Sequence, residues 1–230
     1  MLKVLIINGS PHEKGCTFTA LSEAAGALQK NGVETEFFWL GKKAVQGCVA
    51  CFGCAKLGRC VFNDDAVNTL NARAGEFDGL IIGSPVYYAG PNGSLCAFLD
   101  RMFLSGGDKW QGKPGACVVS CRRGGASAAF DRLNKYFTMN NMPVVSSQYW
   151  NQVHGNSLEE VMQDLEGLQT MRTLGVNMAY LLKCIETGRK AGVPEPAREE
   201  QVFTNFIRRE YAPVFAGVNS PQNISRKLHV

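Results

Sequence analysis

Three short stretches, at 4–7 (VLII), 80–82 (LII) and 117–119 (CVV), are apolar at every position. A strand with one wet face alternates apolar and polar side chains. A strand with no alternation is buried on both faces, the mark of a parallel sheet covered by helices on either side. Segments with helical spacing lie between these runs, so strands and helices alternate and an α/β fold follows. The expected strands are residues 2–7, 34–40, 77–84, 115–120 and 144–150. The expected helices are 17–29, with Thr17 as N-cap and Asn31-Gly32 at its close, then 64–74, 92–102 and 126–138. Residues 158–187 form one long amphipathic region with an expected break near Gly175.

A chain of 230 residues, 45% of them hydrophobic, can bury one large core. We expect the main domain at 1–187, with a cysteine-rich insert at 47–62. Residues 188–230 carry Pro194, Pro196, Pro213 and Pro221 around a helical stretch at 199–210, and read as an extension packing on its own domain or a neighbouring subunit. The net charge of +4 is spread over 24 basic and 20 acidic residues without runs, which argues against a nucleic-acid or membrane-surface partner. The N-terminal apolar run is too short for a secretory signal, and no stretch reaches the ~18 apolar residues of a membrane helix, so the expected location is cytoplasmic. Thiols stay reduced there, and the nine cysteines read as ligands, redox groups or core rather than disulfides.

Four of the nine, Cys48, Cys51, Cys54 and Cys60, are spaced C-x2-C-x2-C-x5-C. The first three share the spacing that opens the compact ferredoxin run, whose thiolates hold an iron-sulfur cluster. Structural zinc favours two knuckles separated by a longer segment, which is absent here. A third reading leaves the four as reduced thiols holding no metal. Cys96, Cys117 and Cys184 sit in helix or strand patterns and read as core, as do the aromatic pairs Phe37-Phe38 and Tyr149-Trp150.

The loop after the first strand, NGSPHEKGCT, stands where open α/β sheets bind phosphate. Ser10 and Thr17 offer hydroxyls, Gly15 allows close backbone approach, and His12 and Cys16 lie beside them. Neither the dinucleotide fingerprint nor the P-loop ending is present, so a mononucleotide phosphate is the natural ligand, set against an ordinary strand-to-helix turn.

With SPVYYAGPNG after the third strand, these loops and the early cysteines make the chain resemble the NADPH-dependent FMN reductase and iron-sulfur flavoprotein branch of the flavodoxin-like superfamily. The resemblance is strong over roughly the first 150 residues. It implies a doubly wound five-stranded parallel sheet of order 2-1-3-4-5. It also implies that Ser10, His12, Gly15, Cys16 and Thr17 hold an FMN phosphate, although the family commonly has Arg in place of His12 and Asn or Ser in place of Cys16. Pro85, Val86, Tyr87, Tyr88 and Asn92 would line the flavin ring, and Cys121, Arg122, Arg123, Gly124 and Gly125 would form a third flavin loop. The four spaced cysteines match the family's 4Fe-4S motif. A flat ring with apolar faces and one polar edge suits aromatic side chains and free amides, and an arginine at 122 or 123 would stabilise negative charge on it.

Three functions are consistent with this reading. The first is an enzyme taking hydride from NAD(P)H through FMN to a 4Fe-4S cluster or a small acceptor such as a quinone, with no side chain acting as catalyst. The second is a similar reductase whose cysteine loop is empty. The third is a flavodoxin-type carrier docking to partner proteins; carriers tend to be shorter and strongly acidic, which favours the enzyme. The resemblance also implies a homodimer or homotetramer. His154 offers protonation near the site, and Trp150 could border it.

Overall fold

The three apolar runs lie side by side at the middle of the molecule. The computed structural model describes residues 1–197, 199 and 202. Strand β1 (Lys3–Asn8) is followed by helix α1 (Cys16–Lys30), β2 (Glu34–Trp39), the one-turn α2 (Cys54–Leu57) and α3 (Val67–Ala72). Then come β3 (Gly79–Tyr87), β4 (Gly90–Pro91), α4 (Gly93–Gly106), β5 (Gly115–Cys121), α5 (Ala126–Met139), β6 (Gln152–His154), α6 (Leu158–Val161) and α7 (Leu165–Lys190). The sheet order is β2-β1-β3-β5-β6, all parallel, which is the expected 2-1-3-4-5 for the five parallel strands. The added β4 folds back antiparallel on the end of β3.

Alternate residues of the central strands feed two apolar layers. Val4, Ile6, Ile81, Ala116 and Val118 pack against Ala20, Leu21, Ala24 and Leu28 of α1 and Leu168, Met171, Leu174 and Met178 of α7. Leu5, Ile7, Leu80, Ile82, Cys117 and Val119 pack against Leu70 of α3, Phe98, Leu99 and Met102 of α4, and Leu133 and Phe137 of α5. Each fully buried Val, Leu, Ile, Phe or Met among them contributes about 1.5–3 kcal/mol over leaving it in water.

Several expectations are corrected. Helix α1 begins at Cys16 with Gly15 at its cap position and no side-chain cap, so Thr17 is not the N-cap. Of the strand expected at 144–150, Val144 forms only an isolated bridge to Gly115, and pairing resumes at Gln152. The intervening chain folds on itself around Ser147, whose Oγ lies 2.6 Å from both the Tyr149 carbonyl oxygen and Asn151 Oδ1 and shares its single proton between these two acceptors. That excursion leaves Tyr149 and Trp150 about half exposed instead of in the core. Cys184 is likewise exposed, whereas Cys117 is buried.

The long C-terminal region does break, but at 162–164, where the Asp164 carboxylate caps α7 through the Gly167 amide at 2.9 Å. Helix α7 passes Gly175 without interruption. Gly175 is there for space: a Cβ would stand 2.4 Å from the Ala24 carbonyl oxygen and 2.7 Å from the Ala27 Cβ, so α1 and α7 touch backbone to backbone. Residues Met1–Glu195 form one compact unit, and of the helix expected at 199–210 all but residues 199 and 202 lie outside the described residues.

In a free helix Gly→Ala stabilises by about 1 kcal/mol. At Gly175 the sign should reverse: Gly175→Ala is expected to lower stability by about 1–3 kcal/mol through overpacking, read from urea unfolding.

Candidate functional site

The strand order reverses between β1 and β3, since the chain leaves β1 for β2 on one side and reaches β3 on the other. Open α/β sheets bind ligands at the carboxyl ends of strands flanking such a reversal. Three loops meet there, after β1, β3 and β5.

The first is shaped by Asn8, a buried residue at the end of β1. Its Oδ1 accepts from the Ser10 amide at 3.1 Å and its Nδ2 donates to the Glu13 carbonyl at 3.0 Å. The His12 amide donates to Ser10 Oγ at 3.1 Å, which leaves the Ser10 hydroxyl proton free to donate. The Trp39 indole donates to the Ser10 carbonyl at 2.8 Å, tying the loop to the end of β2. Because α1 has no side-chain cap, its first amides, beginning at Cys16, point out of the helix as unused donors. Together with the helix dipole they form a cradle for an anion. Thr17 is buried, and its hydroxyl bonds Ser120 of β5 at 2.8 Å, so it braces the helix start against the sheet. His12 is exposed. Burial, with Glu160 and Glu159 nearby, pushes the Cys16 thiol up, so it stays neutral.

The second loop is a hairpin. Tyr87 pairs with Gly90 and Val86 with Pro91, leaving Tyr88 and Ala89 as a two-residue turn at φ 49° and 59°. Such turns favour Asn and Gly, and side chains at positive φ carry strain. Tyr88 projects wholly into solvent and Tyr87 is about half exposed. Pro85 and Val86 are partly buried beneath them. Asn92 locks this loop to the first: its Nδ2 donates to the Gly9 carbonyl at 2.8 Å, its amide donates to Ser84 Oγ at 2.9 Å, and its Oδ1 caps α4 through the Ser94 amide.

The third loop, 121–125, leaves Arg122, Arg123 and Gly124 exposed, and neither arginine has an ion pair among the described residues. Gly125 has φ 90°, and a Cβ there would stand 2.7 Å from Ala89 Cα, so the hairpin rests directly on it. Cys121 is buried, and burial pushes its thiol up. Its sulfur lies 3.4 Å from His154 Nδ1. The loops thus bring together Ser10, Gly15, the start of α1, Pro85 to Tyr88, Asn92 and the 121–125 turn. His12 contributes its amide to this arrangement, whereas the Thr17 side chain points into the sheet.

A second feature lies on the far side of α4. Cys48, Cys51, Cys54 and Cys60 line one shallow cleft of about 20 Å³, open to solvent, with Val49, Phe52, Val61, Phe62, Leu104, Ser105 and Arg101. Among the described residues no three His, Cys, Asp or Glu side chains converge as ligands of a single ion. Ala50 and Phe52 sit at φ 52° and 54°. Non-glycine residues held this way cost about 1–3 kcal/mol each and persist where a site requires them. Phe52 with the right-handed Gly53 makes an αL–αR pair, the backbone nest that turns amides toward an anion and recurs in iron-sulfur sites. Burial pushes the Cys54 thiol up, opposed by the amides of Cys54 and Ala55, and its sulfur contacts the Leu104 carbonyl at 3.9 Å. Four thiols on one mostly apolar cleft fit a thiolate-bound cluster.

The residues that sequence reasoning missed are Asn8, Trp39, Ser84, Ser120 and Arg101. Asn8 carried a signal, a polar residue ending an apolar strand, and Arg101 carried another, a cation inside the apolar run LCAFLDRMFL. Helix α4 joins the two features, with Asn92 at its cap and Arg101 about 14 Å along its axis.

Residues 2–156 match the family described as NADPH-dependent FMN reductase. An iron-sulfur flavoprotein of Methanocaldococcus jannaschii is 33% identical over 193 residues, covering 80% of this chain and 100% of that protein. An iron-sulfur flavoprotein of Archaeoglobus fulgidus is 28% identical over 194 residues, 78% and 97% of the two chains. Among solved structures, RosB with a bound 8-demethyl-8-formylriboflavin-5'-phosphate intermediate aligns with TM-score 0.64 at 16% identity over 90% of this chain and 94% of its own. A flavodoxin from the domain Archaea aligns with TM-score 0.54 at 14% identity over 80% and 99%. At those identities the structural likeness is one of fold.

Replacing the strained turn by its preferred residues, Tyr88→Asn with Ala89→Gly, should raise stability by about 1–2 kcal/mol in urea unfolding. An unchanged or lower midpoint would mean that the turn is held by contacts of the two side chains.

Proposed function

The chain belongs to the NADPH-dependent FMN reductase family, and from that premise we propose that it is an FMN-dependent NAD(P)H oxidoreductase passing electrons to a 4Fe-4S cluster on Cys48, Cys51, Cys54 and Cys60. The observation that carries the flavin reading is the meeting of three loops at the β1/β3 reversal, with the uncapped start of α1 among them. The names of the iron-sulfur flavoprotein relatives and the thiol-lined cleft support the cluster.

In this reading the amides at the start of α1 and the Ser10 hydroxyl hold the FMN phosphate, with Gly15 leaving room for the approach. Pro85, Val86, Tyr87 and Tyr88 cover the ring, and Asn92 fixes the hairpin against the first loop. Arg122 and Arg123 offer positive charge at the rim, where they favour an anionic ring edge and the phosphates of the nicotinamide donor. FMN, when bound, supplies a carrier that takes two electrons together and releases them singly. A cluster held by Cys48, Cys51, Cys54 and Cys60 would supply a one-electron store, with a small molecule such as a quinone or a protein as the acceptor. No side chain need act as nucleophile. Assembly as a homodimer or homotetramer belongs to the same proposal. Among the described residues no helix is long and apolar enough to cross a membrane.

Anaerobic purification with measurement of flavin, iron and acid-labile sulfide tests the proposal. One FMN with about four irons and matching sulfide per chain is expected. NAD(P)H should bleach the flavin with no partner protein present; a flavin that NAD(P)H leaves oxidised would point to a carrier. Cys51→Ser should remove the cluster absorbance and leave FMN bound, and iron uptake equal to the parent protein would overturn the ligand assignment.

A further inference from the structure

The cysteine cleft holds a buried cation whose role the reading above leaves unused. Arg101 is 1% exposed, at the centre of α4. Burying a guanidinium is costly unless every donor finds a partner, and here the fork is filled. Its Nε donates to Cys60 Sγ at 3.2 Å. Nη1 donates to the Gln46 carbonyl at 3.2 Å and pairs closely with Asp65 Oδ2. Nη2 donates to the Phe62 carbonyl and Asp65 Oδ1, each at 3.3 Å, and the guanidinium lies 5.1 Å from the centre of the Phe62 ring. One side chain therefore grips the cysteine loop ahead of Cys48, at Cys60 and just beyond it. A turn later on the same helix, the Leu104 carbonyl meets the Cys54 sulfur.

The four thiols are not equivalent in this setting. Cys48 and Cys51 are exposed, Cys54 is intermediate, and only Cys60 is buried and bonded to a cation. Reduction of a thiolate-held cluster adds one negative charge. Hydrogen bonds to ligand sulfur and net local charge are the levers that set its potential.

We infer that Arg101 is a positioning residue of the cluster site: it pre-sets Cys60 as the inner ligand and, through its N–H to sulfur bond and its charge, raises the reduction potential of the cluster, with Asp65 holding that charge in check. The inference rests on the proposed cluster. Asp65 partly neutralises the guanidinium, so the two residues act with opposite sign on the same quantity. Removing Arg101 makes the added electron harder to accept, and removing the Asp65 charge makes it easier.

The test is an anaerobic dithionite titration of the holoprotein, followed by the spectrum of the reduced cluster, with iron and sulfide measured in parallel. In Arg101→Gln the equilibrium for reduction should weaken about tenfold, or about 59 mV for one electron. Arg101→Lys, which keeps the charge, should recover part of the shift. Asp65→Asn should move the potential upward, and it decides the matter if the Arg101 variants fail to fold. A residue that only packs the loop would lower iron content without moving the potential of the clusters that remain. Wild-type potential in Asp65→Asn and in any folded Arg101 variant, at full iron content, overturns the role of Arg101 and leaves the cluster standing. A wild-type protein that takes up no iron and sulfide after reconstitution overturns the cluster, and Arg101 with it.

Discussion

Burial of β1, β3 and β5 on both faces is the constraint from which the rest follows. Their backbone polar groups can be satisfied only by neighbouring strands, which forces a continuous parallel ladder through the middle of the molecule. Parallel strands end on the same edge, so the loops after all three emerge together. Helices must then cover both faces, and the close seam between α1 and α7 at Gly175 shows how little room is left. The place of the loops is thus set by core packing, before any side chain of the loops contributes.

Much of this was legible in the chain. Unbroken apolar runs announced the buried strands, and the polar and glycine-rich stretches after them announced the loops, because both signals are local. What escaped was set by distant partners. Thr17 sits where a cap is expected, yet its hydroxyl is claimed by Ser120, 103 residues away in sequence. Residues 144–150 have strand composition, but a turn around Ser147 removes most of them from the sheet. Arg101 stands out along the chain as a cation inside an apolar run, but only the loop folded over it shows where its charge goes. The break assigned to Gly175 failed for a related reason: the glycine serves a neighbouring helix, whereas the interruption comes from the cap at Asp164.

The two loop regions also store strain in the same form. Tyr88 and Ala89 at the hairpin tip and Ala50 and Phe52 between the cysteines all occupy positive φ without being glycine. Elsewhere among the described residues only Asn141 does so outside glycine, in a turn where Asn is tolerated. Strain gathered at the loops while the sheet stays regular is the pattern of a protein whose stability comes from one region and whose chemistry is kept in another.

Helix α4 adds a constraint of a different kind. Its cap, Asn92, fastens the hairpin to the first loop, and its middle, Arg101, fastens the cysteine loop. An α-helix turns by about 100° per residue, so the two attachments are locked in phase as well as in spacing. Exchanges of side chain between them leave that phase intact. Losing or gaining a single residue there would swing the guanidinium a quarter-turn or more away from Cys60, so a one-residue insertion or deletion in this helix would undo one attachment or the other while substitutions keep both.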